Sequence, residues 1–283
     1  METKIAIVTG ANGGMGKVIT EEISRNGYEV VMACRDIQKS EPVYREIVQK
    51  TGGKIVLLPL DLSSLDSVFQ FIAEIKIRYK AIHLLIHNAG VMAKKGMNSS
   101  FSVEQTFCVN YLSPYILTRA LVPLMPIGSR IVNVSSLMYK YGKITPSLFE
   151  PVVPWKFSRF KSYSNSKLAL LLMGIDLSDT YLKKGITINT CEPGIVNTPI
   201  LNMGNRFVDF LAQVLFRPFV RTPEKGAETI VYLALHEDLA NKSGGFYSNK
   251  KEVLLKKRYI REQDRLLLRK LSEQFIESQK IVL

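Results

Sequence analysis

Short β-branched apolar runs alternate with longer helix-patterned segments along nearly the whole chain, and this alternation restricts the fold more than any other feature. Strand candidates fall at residues 4–9, 29–34, 54–59, 83–87, 130–135 and 187–192, with a weaker one at 245–248. Between them, segments such as 17–26, 64–79, 101–124 and 163–183 carry helical spacing. Strands joined through helices make right-handed crossovers, so the sheet should be parallel and covered on both faces. The boundary signals agree. Asp61-Leu62-Ser63-Ser64 offers N-cap residues, and Gly27 and Gly185 stand where helices should stop. No Pro/Gly/Ser-rich linker and no internal repeat divides the chain. The expectation is a single α/β domain over residues 1–250, built on a doubly wound parallel sheet of about seven strands, followed by a basic helical extension over 251–283.

Composition excludes several other classes. Hydrophobic residues are 46% and charged residues 22% of the chain, values of a folded globular protein rather than a disordered one. No apolar run approaches the roughly 18–20 residues that span a bilayer. The first residues, METKIAIVTG, enter a strand directly and lack the apolar core and cleavage site of a secretory signal. Cys34, Cys108 and Cys191 are odd in number and far apart, which suits neither a disulfide framework nor a metal cluster and fits the cytoplasm. Lys and Arg number 38 against 25 Asp and Glu, a net charge of +13. Such a balance attracts anions, among them phosphorylated cofactors and acidic membrane surfaces. No aromatic platform or DNA-binding motif accompanies the charge, so no nucleic-acid partner is expected.

The first strand runs into Thr9-Gly10-Ala11-Asn12-Gly13-Gly14-Met15-Gly16, and a helix follows. Glycines permit a tight turn and let the backbone approach a diphosphate, while the helix N-terminus presents free N–H groups to the anion. The spacing departs from G-x-G-x-x-G, because Ile19 holds the last position. At the end of the second strand, where an acid would bind the ribose 2′-hydroxyl of NAD, stand Cys34 and then Arg35. A guanidinium matches a phosphate in shape and charge, which favours NADP(H) over NAD(H). Asp36 could instead pair with Arg35. Further along, Tyr163 and Lys167 are four residues apart, so both side chains share one helix face. A phenol titrates near 10, and a neighbouring cation lowers that value. Such a tyrosine can give a proton to a carbonyl oxygen or take one from an alcohol.

These residues together resemble the short-chain dehydrogenase/reductase family, over roughly residues 4–250. The T-G-x-x-x-G-x-G turn of its classical type is matched by Thr9, Gly10, Gly14 and Gly16. The T-G-x-x-G-x-x-G turn of its extended type is matched by Thr9, Gly10, Gly13 and Gly16. Length and the later motifs favour the classical type. The resemblance implies a Rossmann fold and a set of site residues. Asp61 and Leu62 would hold the adenine. Asn88-Ala89-Gly90 would lie near the adenine ribose, with His87, a structural residue, where the family often has Asn. Ser136, the second of the Ser135-Ser136 pair, would orient the substrate oxygen. Tyr163 would be the general acid/base and Lys167 its partner and a ribose ligand. Asn110 would hold a water beside Lys167. Pro193, Gly194, Ile195 and Thr198 would line the nicotinamide.

An apolar helical stripe at Phe207, Phe210, Leu211, Val214 and Leu215 lies within a lid expected over 195–221. It suggests a lipophilic carbonyl or alcohol, and Arg206, Arg217 and Arg221 beside it suit an anionic membrane surface. Ala33-Cys34-Arg35-Asp36 and the segment 215–223 resemble the retinol-dehydrogenase-like branch. In the family, helices such as 101–124 and 163–183 pair subunits, so a homodimer or homotetramer is implied. The expected activity is hydride transfer between NADP(H) and a lipophilic carbonyl or alcohol. The alternatives are an NADP(H)-binding redox sensor without turnover and an extended-type sugar-nucleotide epimerase or reductase.

Overall fold

The computed structural model describes residues 3–196 and 220–281. Its centre is an eight-stranded sheet in the order β3-β2-β1-β4-β5-β6-β7-β8. The strands are β1 (Ile5–Thr9), β2 (Glu29–Cys34), β3 (Ile55–Pro59), β4 (Leu84–His87), β5 (Arg130–Val134), β6 (Thr187–Glu192), β7 (Phe246–Ser248) and β8 (Lys251–Glu252). β1 to β7 are parallel, and β8 turns back antiparallel on β7. The expected count of about seven misses β8, whose two exposed charged residues carry no apolar pattern. In register, Val8 stands between Met32 of β2 and Ile86 of β4. The chain first builds outward from β1 to β3 and then crosses back to β4. The crevice at the strand ends beside β1 and β4 is therefore the switch point where such sheets bind ligands.

The central strands are buried on both faces, as a parallel sheet between helices requires. On one face, α1 (Gly14–Arg25), α2 (Ile37–Thr51) and α6 (Pro223–Leu235) contribute Ile19, Ile23, Ile47, Ile230 and Leu233 to the core. The other face carries α3 (Leu65–Arg78), α4 (residues 105–121), α5 (Arg159–Leu182) and α7 (Glu262–Ser278). Helix α2 does not show in the sequence pattern because Pro42 interrupts it. The structure starts it with Asp36, which accepts from the Lys39 N–H at 3.1 Å, and ends it at Gly52 with φ +62°.

The helix expected over 101–124 is a composite. An α-helical turn Gln105–Phe107, a π-helical segment Cys108–Leu112 and the α-helix Ser113–Leu121 follow without a break, together α4. The π segment carries Asn110. Helix α5 begins at Arg159, four residues before Tyr163, so Tyr163 and Lys167 lie in its second and third turns.

Helix α7 lies across α4 and α5. Its Ser272 hydroxyl hydrogen-bonds Tyr111 at 2.6 Å, and Arg269 Nε donates to the Asp176 carboxylate at 2.7 Å. Phe275 packs against Phe101 and Phe149, with ring centroids 6.3 and 6.0 Å away. The chain's own C-terminal helix thus packs on the two helices through which the resemblance would pair subunits. Among the described residues, no helix is long and apolar enough to cross a membrane.

Candidate active site

The glycine turn sits at the C-terminal end of β1. Gly10 has φ +63°, and a side chain there would press on Ala89 at 3.0 Å. A Cβ on Gly16 would overlap the Gly10 carbonyl oxygen, so only glycine lets α1 approach the turn. Gly13 and Gly14 separate the two glycine patterns. Gly13 has extended backbone at φ −112° and open space where a side chain would be, whereas Gly14 has φ +34°. The conformational demand thus falls on Gly14, as in T-G-x-x-x-G-x-G.

The turn is tied to the next strand. The Thr9 hydroxyl accepts from the Asn88 and Ala89 N–H groups at 3.1 and 3.0 Å. The Asn88 amide donates back to the Thr9 and Gly10 carbonyls at 3.0 and 3.2 Å. Helix α1 has no side-chain cap and no acid in its first turn, so its N-terminus faces the crevice with its partial positive charge uncompensated. The buried Asn88 Oδ1 has no hydrogen-bond partner among the described residues. A close-approach backbone, an uncompensated helix end and a free buried acceptor together fit a dinucleotide.

At the end of β2, Cys34 is buried beside the turn, and burial pushes its thiol up. Arg35 is exposed and makes no ion pair among the described residues. Asp36 does not pair with it. Its carboxylate caps α2 and lies 3.2 Å from Lys39 Nζ. Asp61 Oδ1 accepts from the N–H and hydroxyl of Ser63 at 2.9 and 2.7 Å, which fixes the bend after β3, and Leu62 beside it is buried.

The candidate reaction centre lies across β5 and α5. Strand alternation sends the two serines apart. Ser135 is buried, and its hydroxyl donates to the Lys167 carbonyl at 2.9 Å. Ser136 stands beside the Tyr163 phenol, and its hydroxyl accepts from the Met138 N–H at 3.3 Å. Burial pushes the Tyr163 phenol up to about 12, and the Ser136 hydroxyl pulls it partly back. Lys167 Nζ lies 5.6 Å from the Tyr163 ring centre and donates to the Val134 carbonyl at 2.8 Å. Burial lowers the Lys167 ammonium to about 8, against a smaller opposing effect of Cys191.

Gly90 brings the third strand end into the cluster. A Cβ there would stand 3.3 Å from Lys167 Nζ and 3.6 Å from Asn110 Oδ1. The Asn110 amide is fully bonded within the protein. It accepts from the Val91 N–H at 2.8 Å and donates to the Val91 carbonyl at 2.9 Å and the Ser166 hydroxyl at 3.0 Å. His87 stands apart. It is buried, its Nε2 meets the Thr118 hydroxyl at 2.7 Å, and burial holds its pKa down to about 3. It is uncharged at neutral pH.

After β6, Gly194 adopts φ +80° and donates its N–H to Glu192 at 2.7 Å. The same carboxylate takes the Ser248 hydroxyl. Ile195 is partly exposed at the strand end, next to Pro193 and Gly194. Glu192, at the end of the largely polar strand β6, is a site residue that the sequence pattern does not mark. Glu104 is a second such residue. It caps α4 through the Thr106 and Phe107 N–H groups at 2.8 and 3.0 Å and holds the Ser162 hydroxyl, one residue from Tyr163. Thr198 and most of the expected lid, with Arg206, Phe207, Phe210, Leu211, Val214, Leu215 and Arg217, lie outside the described residues. All three cysteines are free and buried, and no group of three or more potential metal ligands occurs among the described residues.

Residues 4–150 match the family described as short chain dehydrogenase. The chain is 35% identical over 277 residues to retinol dehydrogenase 14 of Mus musculus, covering 91% of this chain and 81% of that protein. It is 36% identical over 252 residues to retinol dehydrogenase 11 of Homo sapiens, covering 87% and 77%. Among solved structures, an uncharacterized protein from Mycobacterium paratuberculosis superposes with a TM-score of 0.76 at 26% identity, over 97% of this chain and 93% of that one. The angucycline C-6 ketoreductase LanV, solved with bound NADP, gives a TM-score of 0.69 at 25% identity, over 87% and 93%. With the double-wound sheet, the glycine turn and the Ser-Tyr-Lys cluster already in place, these likenesses make the chain a member of the short-chain dehydrogenase/reductase family, in its retinol-dehydrogenase-like branch, and so an oxidoreductase of CH–OH and C=O groups.

Proposed function

We propose that the protein is an NADP(H)-dependent oxidoreductase that interconverts a lipophilic carbonyl compound and its alcohol. The observation that carries this reading is the meeting of Ser136, Tyr163 and Lys167 at the strand ends beside the glycine turn. When bound, the nicotinamide cofactor supplies or accepts the hydride. The chain's own residues do the rest. Ser136 donates to the substrate oxygen and orients it. Tyr163 gives that oxygen its proton in reduction and takes it back in oxidation. Lys167 supports negative charge on the Tyr163 oxygen and binds ribose hydroxyls. Asn110, its amide bonded to Val91 and Ser166, is assigned the holding of a water beside Lys167.

Arg35 supports NADP(H) over NAD(H), since it is exposed at the end of β2 and Asp36 is occupied by Lys39. The remaining cofactor contacts are assigned to Thr9, Gly10, Asn12, Gly13, Gly14, Met15, Gly16, Asp61, Leu62, Asn88, Ala89, Gly90, Pro193, Gly194, Ile195 and Thr198. The named activity of the relatives supports a lipophilic substrate. The complete acid–base cluster disfavours a sensor without turnover, and the demand at Gly14 rather than Gly13 disfavours an extended-type epimerase. NADPH consumption measured by absorbance against retinal, long-chain aldehydes, steroid ketones and small quinones tests the reading. Turnover of at least one lipophilic carbonyl is expected. NADPH binding with no turnover of any of them would favour the sensor.

A further inference from the structure

We propose that Arg221 is a cofactor-binding residue that pairs with the diphosphate of the dinucleotide, an assignment that rests on the function proposed above. In the sequence, Arg221 ends the expected lid and looks like a surface cation. The structure gives it a different setting. Its backbone pairs in parallel with Val196, and its N–H donates to the Ile195 carbonyl at 2.7 Å. Its guanidinium folds back over the turn after β6. Nη1 donates to the Pro193 carbonyl at 3.3 Å, and a Cβ on Gly194 would stand 2.6 Å from Nε and 2.8 Å from Cζ. Gly194 is thus a glycine both for its φ of +80° and for the room its missing side chain leaves to Arg221.

The same stretch is anchored beside the glycine turn. Thr222, the next residue, caps α6. On the first turns of α6, a Cβ on Gly226 would lie 2.7 Å from both Met15 Sδ and Val196 Cγ2. Met15 is the second residue of α1. Arg221 therefore enters the crevice from the β6 side, within one short segment of the helix N-terminus.

Charge completes the argument. The other cations nearby are committed: Lys17 to Glu46 at 2.6 Å, and Lys225 to Glu228 at 3.0 Å. The acids on the neighbouring elements are likewise engaged. Glu192 holds Gly194 and Ser248, and Glu224 lies beside the Thr222 hydroxyl in the first turn of α6. Among the described residues, Arg35 and Arg221 make no ion pair, and they flank the turn from β2 and from β6. A 2′-phosphorylated dinucleotide has two anionic parts separated by a ribose. A guanidinium fork suits each, Arg35 the 2′-phosphate and Arg221 the diphosphate.

The two assignments make opposite predictions about cofactor choice. Only NADPH has the 2′-phosphate, whereas both nicotinamide cofactors have the diphosphate. Dissociation constants for NADPH and NADH are measured on the full chain by cofactor fluorescence, for wild type, Arg221→Ala, Arg221→Lys and Arg35→Ala, at low and at moderate salt. Arg221→Ala should weaken both cofactors by the same factor, roughly tenfold for a lost charge-assisted bond. It should also flatten the salt dependence of NADH binding, since one screened attraction is gone. Arg221→Lys should restore part of both effects, and Arg35→Ala should leave NADH unchanged. Unaltered binding of both cofactors by Arg221→Ala would overturn the proposal. So would weaker binding with an unchanged salt dependence, which marks a purely structural arginine. Wild-type chain that binds neither cofactor would instead overturn the function on which the proposal rests.

Discussion

The Ser135 hydroxyl donates to the Lys167 carbonyl at 2.9 Å, while Ser136, its neighbour in sequence, stands beside the Tyr163 phenol. In the proposed reaction Ser136 addresses the reacting oxygen, while Ser135 fastens α5 to the end of β5. Ser136→Ala should lower kcat for carbonyl reduction by about 10- to 1,000-fold, the range seen when one donor to a developing oxyanion is removed. Ser135→Ala should leave kcat within a few-fold and cost about 1 kcal/mol of stability in urea denaturation, the typical worth of one hydrogen bond. The reverse pattern would exchange their roles.

Arg35 is exposed at the end of β2 with its neighbouring acid occupied. Arg35→Ala should raise the KM for NADPH by about 10- to 100-fold, as expected for a lost charge-assisted bond of roughly 1.5–3 kcal/mol, and change the KM for NADH little. Steady-state kinetics with both cofactors check this, and equal effects on the two would remove Arg35 from the 2′-phosphate.

The pH dependence of reduction follows from the two buried groups of the cluster. Tyr163 is held up to about 12, so its phenol carries the proton throughout the neutral range. Lys167 is lowered to about 8, so it is charged below that pH and neutral above it. The reduction rate should therefore be flat below about pH 8 and decline above it, as the cation that supports the tyrosine's negative oxygen is lost. Lys167→Met should be slow and lack that inflection. Profiles of kcat/KM between acid and alkaline pH test both statements.

His87 bears on stability rather than chemistry. The folded chain holds it neutral down to about pH 3, while an unfolded histidine protonates near 6.5. Between those values the unfolded state binds the extra proton. Stability is therefore lost as pH falls, by up to about 1.4 kcal/mol per unit. Urea denaturation at neutral pH and near pH 5 should show wild type losing about 2 kcal/mol more than His87→Asn. Equal losses would mean that His87 takes up its proton in the folded chain.

Most of the sheet was legible because strands such as β1, β2 and β4 are largely apolar runs and crossovers such as α1, α3 and α5 carry a helical period. Three features were not. Pro42 hides α2, since the residue that breaks a helix pattern is accommodated once Asp36 and Gly52 fix its ends. The π segment at Cys108–Leu112 has no sequence period. It accompanies the capture of the Asn110 amide by Val91, nineteen residues earlier in the chain. The strand β8 is two charged residues whose only claim to the sheet is pairing with β7. At the site, Tyr163 and Lys167 could be read from their helical spacing once it was set in the strand–helix series, after a strand ending in Ser135-Ser136. The choice between Gly13 and Gly14 needed backbone angles, and the setting of Arg221 needed the contact between α6 and α1. Glu104 and Glu192 escaped notice because a buried acid announces itself only through the N–H and hydroxyl groups it collects.

In the proposed reaction Tyr163 protonates the carbonyl oxygen while hydride arrives at its carbon. The direct measurement uses NADPH with both C4 hydrogens replaced by deuterium and retinal as substrate, comparing wild type with Tyr163→Phe by mass spectrometry of the product. The account predicts deuterium on the carbinol carbon of the alcohol formed by wild type. For Tyr163→Phe it predicts formation at least about 100-fold slower, the usual worth of a positioned acid, with NADPH binding within about twofold. Alcohol formed by Tyr163→Phe at the wild-type rate would contradict the account.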